Sequence, residues 1–486
     1  MASGLMDGFI ASFAEKVGAT VPAIRLFSSL LLGYPLAFIY RNFIFGKPSN
    51  VQHVFFALCG LWLCYFNFGF NVLHSIANIV VIYALLLAIG GTQLSVALAF
   101  IFNLGYLVAA YYFTATDGYD IRWTTPHCVL CLRLTGLVFD VYDGRKDRKS
   151  LSSDQQSTAL DTVPSPLEVL GYSYHFGGFM TGPQFPLKRY RGFVEGAFGN
   201  KQTGGPPASI IPGMRRLSLG VVYIAVYQVG HQFFPGLYMV GDEFASLHLW
   251  QKLLYIGIWG KFALYKYIAV WMIVEGACIL TGLTYNGTDQ NGNDLWDGCI
   301  NVKLVKFETA TTFQEKIDSF NLNTNLWMLK YVYKRLRFLG HKEISQAVTL
   351  FTLAVWHGIH SGYYMNFALE FPIVNMEKDI QREVDRNPTL KRLCNHPLVY
   401  PVHWVFRKMF VEVFLGYPLI GFVLLTYERW YKIYSEVYWC GHILFFSWPL
   451  VYMLLKATVL KRPKAKVEKD AQMQQKLVDA KVEKTD

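Results

Sequence analysis

The chain has 486 residues, 53% of them apolar and 16% charged, with a net charge of +11 and a mean hydropathy of +0.26. Soluble domains carry about 25% charge, yet from Pro48 to Thr116 no Asp, Glu, Lys or Arg occurs. At about 20 residues per helical crossing this run has room for three. A soluble enzyme, a disordered chain and a disulfide scaffold are excluded.

The apolar segments, in chain order, predict crossings near 22–45, 52–70, 72–90, 93–113, 127–141, 214–236, 250–282, 343–371, 399–427 and 433–455. A broken element is expected at 166–182. The predicted fold is therefore an all-α polytopic integral membrane protein with roughly 9–11 transmembrane helices. Its divisions are an N-terminal segment (1–21), the membrane domain (22–456) and a basic tail (457–486) placed on the cytosolic side. Lys261, Lys266 and Glu275 punctuate one predicted helix, and Arg407, Lys408 and Glu412 another. Ionisable groups at such depth face a protein-lined interior or mark short helix breaks. If Lys330–Lys342 and the tail share a side, the crossings between them must be even in number, but three are counted. One of these is expected to be re-entrant.

The excess of Lys and Arg fits loop placement and anionic lipid, and no soluble module is left over to bind nucleic acid. The eight cysteines lie mostly in apolar runs and read as small buried hydrophobes. Asn286-Gly287-Thr288 is a glycosylation sequon, used if its loop faces a lumen. No internal repeat is visible, which disfavours a transporter built from duplicated halves.

Two constellations carry chemistry. The run Ile344–Leu369 has no charged residue but holds His357 and His360. A continuous helix over 343–371 would be about 43 Å long, with His357 at its midpoint. An unpartnered imidazole there is costly, so a functional role is expected; kept neutral, it can accept a proton as a general base. His360 lies one turn on, as a supporting residue. The HxxH spacing has no accompanying carboxylate or Cys, so no metal is expected. The second constellation is Phe320-Asn321-Leu322-Asn323-Thr324-Asn325-Leu326-Trp327. In a soluble protein its three amides would be a turn and cap; entering a membrane body, an amide can also donate to an oxyanion. A nucleophile elbow, the HxxxxD acyltransferase signature, a Walker loop and repeated histidine boxes are all absent from the sequence.

Trp356-His357-Gly358 on an apolar segment, preceded by Phe320-Asn321 with Trp327 six residues on, resembles the membrane-bound O-acyltransferase (MBOAT) superfamily. The usual pattern at the second site is Trp-Asn, and Phe320 stands in place of that Trp. Gly182-Pro183-Gln184-Phe185 with Tyr190 resembles an element of the lysophospholipid branch. Tyr65–Gly69, Tyr112–Trp123, Trp259-Gly260-Lys261 and Gly276–Gly282 extend the likeness.

The resemblance implies helices around a buried reaction chamber in the endoplasmic reticulum membrane. It implies acyl transfer from acyl-CoA, with polyunsaturated chains preferred, to the sn-2 hydroxyl of lysophosphatidylcholine and its ethanolamine and serine counterparts, as in phospholipid remodelling. His357 would be the general base, and Asn321 would hold the oxyanion or orient the thioester. Trp356, His360 and Asn325 would support them, with no cofactor beyond the acyl-CoA substrate. Lys330, Lys334, Arg335 and Arg337 are the candidate cations for the CoA phosphates. The alternatives are the same fold with a protein or sterol acceptor, or a transporter using His357 as a proton relay.

Overall fold

The computed structural model describes residues 2–460 apart from 119, 201, 202 and 459; the tail expected from 457 lies almost wholly outside the described residues. The described residues are mostly helical and form no strand, only isolated bridges between Thr288 and Asp294 and between Val302 and Phe320. Local chemistry sets several helix starts. Thr20, Thr92 and Ser165 accept the N–H of the residue three positions on (Ala23, Ser95 and Glu168), satisfying donors that a first turn leaves open.

Among the described residues six stretches are long and apolar enough to cross a membrane: Val21–Ile44, Ser49–Ile89, Gln93–Thr114, Ile210–Val240, Leu249–Thr281 and Cys440–Ala457. The second is two helices, Ser49–Phe68 and Val72–Ile89, separated by a short turn. Helices also form where crossings were expected at 127–141 and 399–427. The Thr124–Gly144 helix is buried on nearly every side and keeps Arg133 and Asp140 in its middle.

Leu249–Thr281 organises the rest. At 33 residues it is about 50 Å long. Its Ile256–Met272 portion packs with the Ser361–Arg386, Tyr400–Leu424, Tyr427–Glu436 and Cys440–Ala457 helices. Its final turns pack with the helices before residue 200. A helix apolar all round is one buried all round. Its charges do not break it. Glu275 pairs with Arg216 and Lys261 with Glu308, so the protein-lined alternative holds. Within the unbroken Tyr400–Leu424 helix, Glu412 receives Lys408 and Lys316.

The expected single helix over 343–371 is corrected. Lys342–His357 ends at the histidine, and Ser361–Arg386 begins four residues after it. Gly358 has φ +147°, a conformation closed to most L residues, and this breaks the helix. Lys342–His357, about 24 Å long, falls short of the roughly 30 Å hydrocarbon core. His357 therefore stands at a helix end rather than mid-helix.

Candidate active site

The break gives His357 its setting. Its ring stacks on Phe367 (5.5 Å between centroids) and Tyr363 (5.7 Å), and meets Phe422 edge-on at 4.9 Å. Gly362 lets the following helix approach: a Cβ there would sit 2.1 Å from the Gly421 carbonyl oxygen. The Gly362 N–H donates to the Leu425 carbonyl at 3.1 Å, pinning the two helices beside the imidazole. Among the described residues no protein group hydrogen-bonds to either His357 ring nitrogen. The imidazole is thus held by packing rather than by hydrogen bonds to the described residues.

Asn321 precedes the Leu322–Tyr331 helix in the left-handed region, at φ +50°, where Asn is better tolerated than most residues. The backbone on either side is fastened. Phe320 bridges Val302, and the Leu322 N–H donates to the Asn301 carbonyl at 3.1 Å. The Arg216–Glu275 pair anchors that partner segment. Arg216 Nη2 reaches both Glu275 Oε2 (3.0 Å) and the Val302 carbonyl (2.9 Å).

The three amides of the segment then divide. Asn323 Nδ2 donates to the Cys299 and Ile300 carbonyls, and Asn325 Nδ2 to those of Ile317 and Phe320. Both hold the loop. Asn321 has no side-chain partner among the described residues and lines a cavity. Phe320 fills its position by packing on Trp271 (4.9 Å) and Phe307 (5.6 Å).

That cavity, of about 440 Å³, brings the two constellations together. His357, His360, Trp356, Asn321 and Asn325 all line it, as do Gly182, Pro183 and Gln184. An aromatic series joins its walls: Phe320 to Trp271, Trp271 to Tyr267 (6.0 Å), Tyr267 to Phe422 (6.3 Å) and Phe422 to His357. The chamber is mainly apolar with a few inward polar groups, a composition suited to a lipid chain beside a reacting centre. His360 lies on its wall at the start of Ser361–Arg386.

The basic run after Asn321 lies elsewhere. None of Lys330, Lys334, Arg335 and Arg337 lines the cavity. Lys330 reaches Thr158 and Asp140, Lys334 pairs with Asp154, and Arg335 binds Asp143 (Nη1–Oδ1 2.9 Å). Burial holds Lys330 below the usual ammonium range, opposed by Asp140. Arg337 is exposed with no ion pair among the described residues.

Several site residues were not foreseen. Arg133, 2% exposed, donates to the Tyr172, Ser173, Gly178 and Pro183 carbonyls and lies over the Phe185 ring at 4.6 Å. It thereby shapes the wall that carries Gln184, whose Nε2 donates to the Val129 carbonyl at 2.6 Å. A lone cation in the apolar 127–141 segment was its signal. Lys316 also reaches the wall, paired with Glu412 at 2.9 Å; burial pushes its ammonium down to about 8. Among the described residues no group of three or more His, Cys, Asp or Glu gathers as a metal site.

Residues 108–420 match the sequence profile of MBOAT, the membrane-bound O-acyltransferase family. The chain belongs to this family. Full-length likeness agrees. The chain is 43% identical to lysophospholipid acyltransferase 5 of Rattus norvegicus over 467 residues, 95% of each chain. It is 42% identical to the Drosophila melanogaster protein of that name, covering 93% of this chain and 90% of the relative. Identity to the Caenorhabditis elegans protein of that name is 35%, over 97% of this chain and 100% of the relative. The MBOAT assignment makes the chain an acyltransferase of the membrane, and the cavity joining His357 to Asn321 is its candidate reaction chamber.

Proposed function

We propose that this MBOAT protein is a lysophospholipid O-acyltransferase of the endoplasmic reticulum membrane. It moves a fatty acyl chain from acyl-CoA to the free sn-2 hydroxyl of lysophosphatidylcholine and related acceptors. The observation that carries this reading is the shared cavity. It holds an imidazole and an amide that have no hydrogen-bond partner among the described residues, inside a largely apolar chamber. Identity of 35–43% to proteins named lysophospholipid acyltransferase 5 supports the acceptor class.

In this reading a His357 ring nitrogen takes the hydroxyl proton as the glycerol oxygen attacks the thioester carbonyl carbon. Negative charge develops on the former carbonyl oxygen, and the Asn321 amide N–H donates to it. The C–S bond then breaks, the ester remains, and the imidazolium returns its proton to the departing thiolate. The protein forms no covalent bond, and no cofactor enters. The aromatic wall around His357 excludes water, which would otherwise compete as acceptor. The CoA phosphates need cations, and Arg337 is the member of the basic run that no carboxylate among the described residues neutralises.

The test is CoA release by the purified full-length protein with arachidonoyl-CoA and lysophosphatidylcholine. Release that requires the lysophospholipid supports the reading. No release with any lysophospholipid overturns it, and a protein or sterol acceptor then moves ahead.

A further inference from the structure

Glu370 stands apart from every other charged group on the chamber wall. Asp120 on the same wall is matched by Arg122 at 3.1 Å, and Lys316 by Glu412 at 2.9 Å. Lys266 has interactions of its own. Glu370 has neither ion pair nor hydrogen bond among the described residues, although its side chain borders the cavity. A carboxylate in an apolar chamber is costly unless a cation meets it. Among the described residues none does.

One turn earlier on the same face, Asn366 also lines the cavity, and its amide likewise has no partner among the described residues. Residues four apart on a helix have neighbouring side chains, so the wall presents an amide donor beside a lone carboxylate. The pair is placed relative to the chemistry. Phe367, stacked on His357, immediately follows Asn366 and precedes Glu370 by about one helical turn, roughly 5 Å. Further along that helix, Glu377 accepts the Phe313 and Gln314 N–H groups at 2.8 and 2.9 Å. A molecule reacting at His357 and lying along this helix thus passes Asn366 and Glu370 next.

We infer that Asn366 and Glu370 form the acceptor headgroup site, with Glu370 meeting the headgroup ammonium and Asn366 donating to its phosphate, so that this wall selects lysophospholipids whose headgroup carries an ammonium over those whose headgroup does not. The inference rests on the lysophospholipid reading above. A choline or ethanolamine headgroup carries its ammonium a short ethylene bridge from the phosphate, the same order of separation as two side chains one turn apart. A headgroup without an ammonium, such as phosphoglycerol, would set its negative charge against the carboxylate with no cation between them, a repulsion that disfavours it.

The experiment compares kcat/KM for lysophosphatidylcholine and lysophosphatidylglycerol of one acyl chain, with full-length wild type, Glu370→Gln and Glu370→Asp. The choline-to-glycerol ratio should fall at least tenfold in Glu370→Gln, chiefly through KM, and largely survive in Glu370→Asp. An unmoved ratio in folded Glu370→Gln overturns the assignment while the acyltransferase reading stands. Wild type inactive on both acceptors sinks that reading and this one together. A measurement on wild type guards against misfolded variants: an alkylphosphocholine should compete with the acceptor more strongly than the matching alkylphosphoglycerol. Equal competition overturns the site.

Discussion

Trp327 and Trp356, on two helices 29 residues apart in sequence, hang from one side of a third. Trp327 Nε1 donates to the Leu132 carbonyl at 2.9 Å and Trp356 Nε1 to the Cys128 carbonyl at 2.8 Å. Those carbonyls are four residues apart, so they lie on one face of the Thr124–Gly144 helix. The two indoles set the Asn321 helix and the His357 helix in register with each other. The Tyr111 hydroxyl adds to this by donating to the Trp356 carbonyl at 3.0 Å.

Removing either indole N–H should therefore loosen geometry before it unfolds the protein. Trp356→Phe and Trp327→Phe should each cost about 1–2 kcal/mol of stability. Small misplacement of a reacting group can cost up to about 10²-fold in rate, so turnover should fall further than the melting temperature suggests. Thermal melts in detergent set beside kcat would show this. Equal kcat with a lowered Tm would mean the tethers serve stability alone.

The two histidines should separate by function. His357→Ala should lower kcat by roughly 10²–10⁴-fold, the range for a general base, while the protein remains folded. His360→Ala should retain a measurable fraction, because His360 sits at a helix start and reaches the ring cluster through Tyr363, at 6.3 Å between centroids. Steady-state CoA release for both variants decides this, and equal losses would remove the distinction.

Asn321 poses a choice between backbone and amide. Its left-handed conformation makes Asn321→Gly the informative variant, since glycine keeps the backbone and deletes only the side chain. If the amide stabilises the oxyanion, Gly and Ala variants should both lose about 10²–10³-fold in kcat. Only Ala should also lose about 1 kcal/mol of stability from the unfavourable φ. An active Asn321→Gly enzyme would assign the residue to the turn.

The Arg216–Glu275 pair should matter through what it anchors. Glu275→Gln or Arg216→Met leaves a buried charge without its partner, at about 3–5 kcal/mol. The double variant Arg216→Met with Glu275→Met should recover much of that loss. A double-mutant cycle on thermal stability measures the coupling, and strict additivity would show that the pair is not the anchor.

Cations of the basic run should divide by whether a carboxylate already holds them. Arg335→Ala strips Asp143 of its partner and should lower stability. Arg337→Ala should instead raise the KM for acyl-CoA several-fold with little change in Tm. Initial rates at varied acyl-CoA concentration test this, and an unchanged KM would place the CoA phosphates elsewhere.

What the sequence determined by itself is the membrane class, the helical architecture and the two motif segments, because charge-free apolar runs and unusual polar residues within them are local signals. Continuity was not local. The charge pattern of 343–371 reads as one helix, and Gly358 breaks it by taking φ +147°, a backbone course open chiefly to glycine. Lys330, Lys334 and Arg335 look free in a linear reading. Folding sets Asp140, Asp143 and Asp154, nearly two hundred residues away, against them. Arg133 and Glu370 show the converse: one is the lone cation of an apolar run and the other the charge that ends one, and only the fold decides that four carbonyls receive the guanidinium while nothing among the described residues answers the carboxylate. The meeting of His357 with Asn321 in one cavity depended on long-range packing through Trp327, Trp356 and the Leu249–Thr281 helix, and no spacing along the chain encodes that distance.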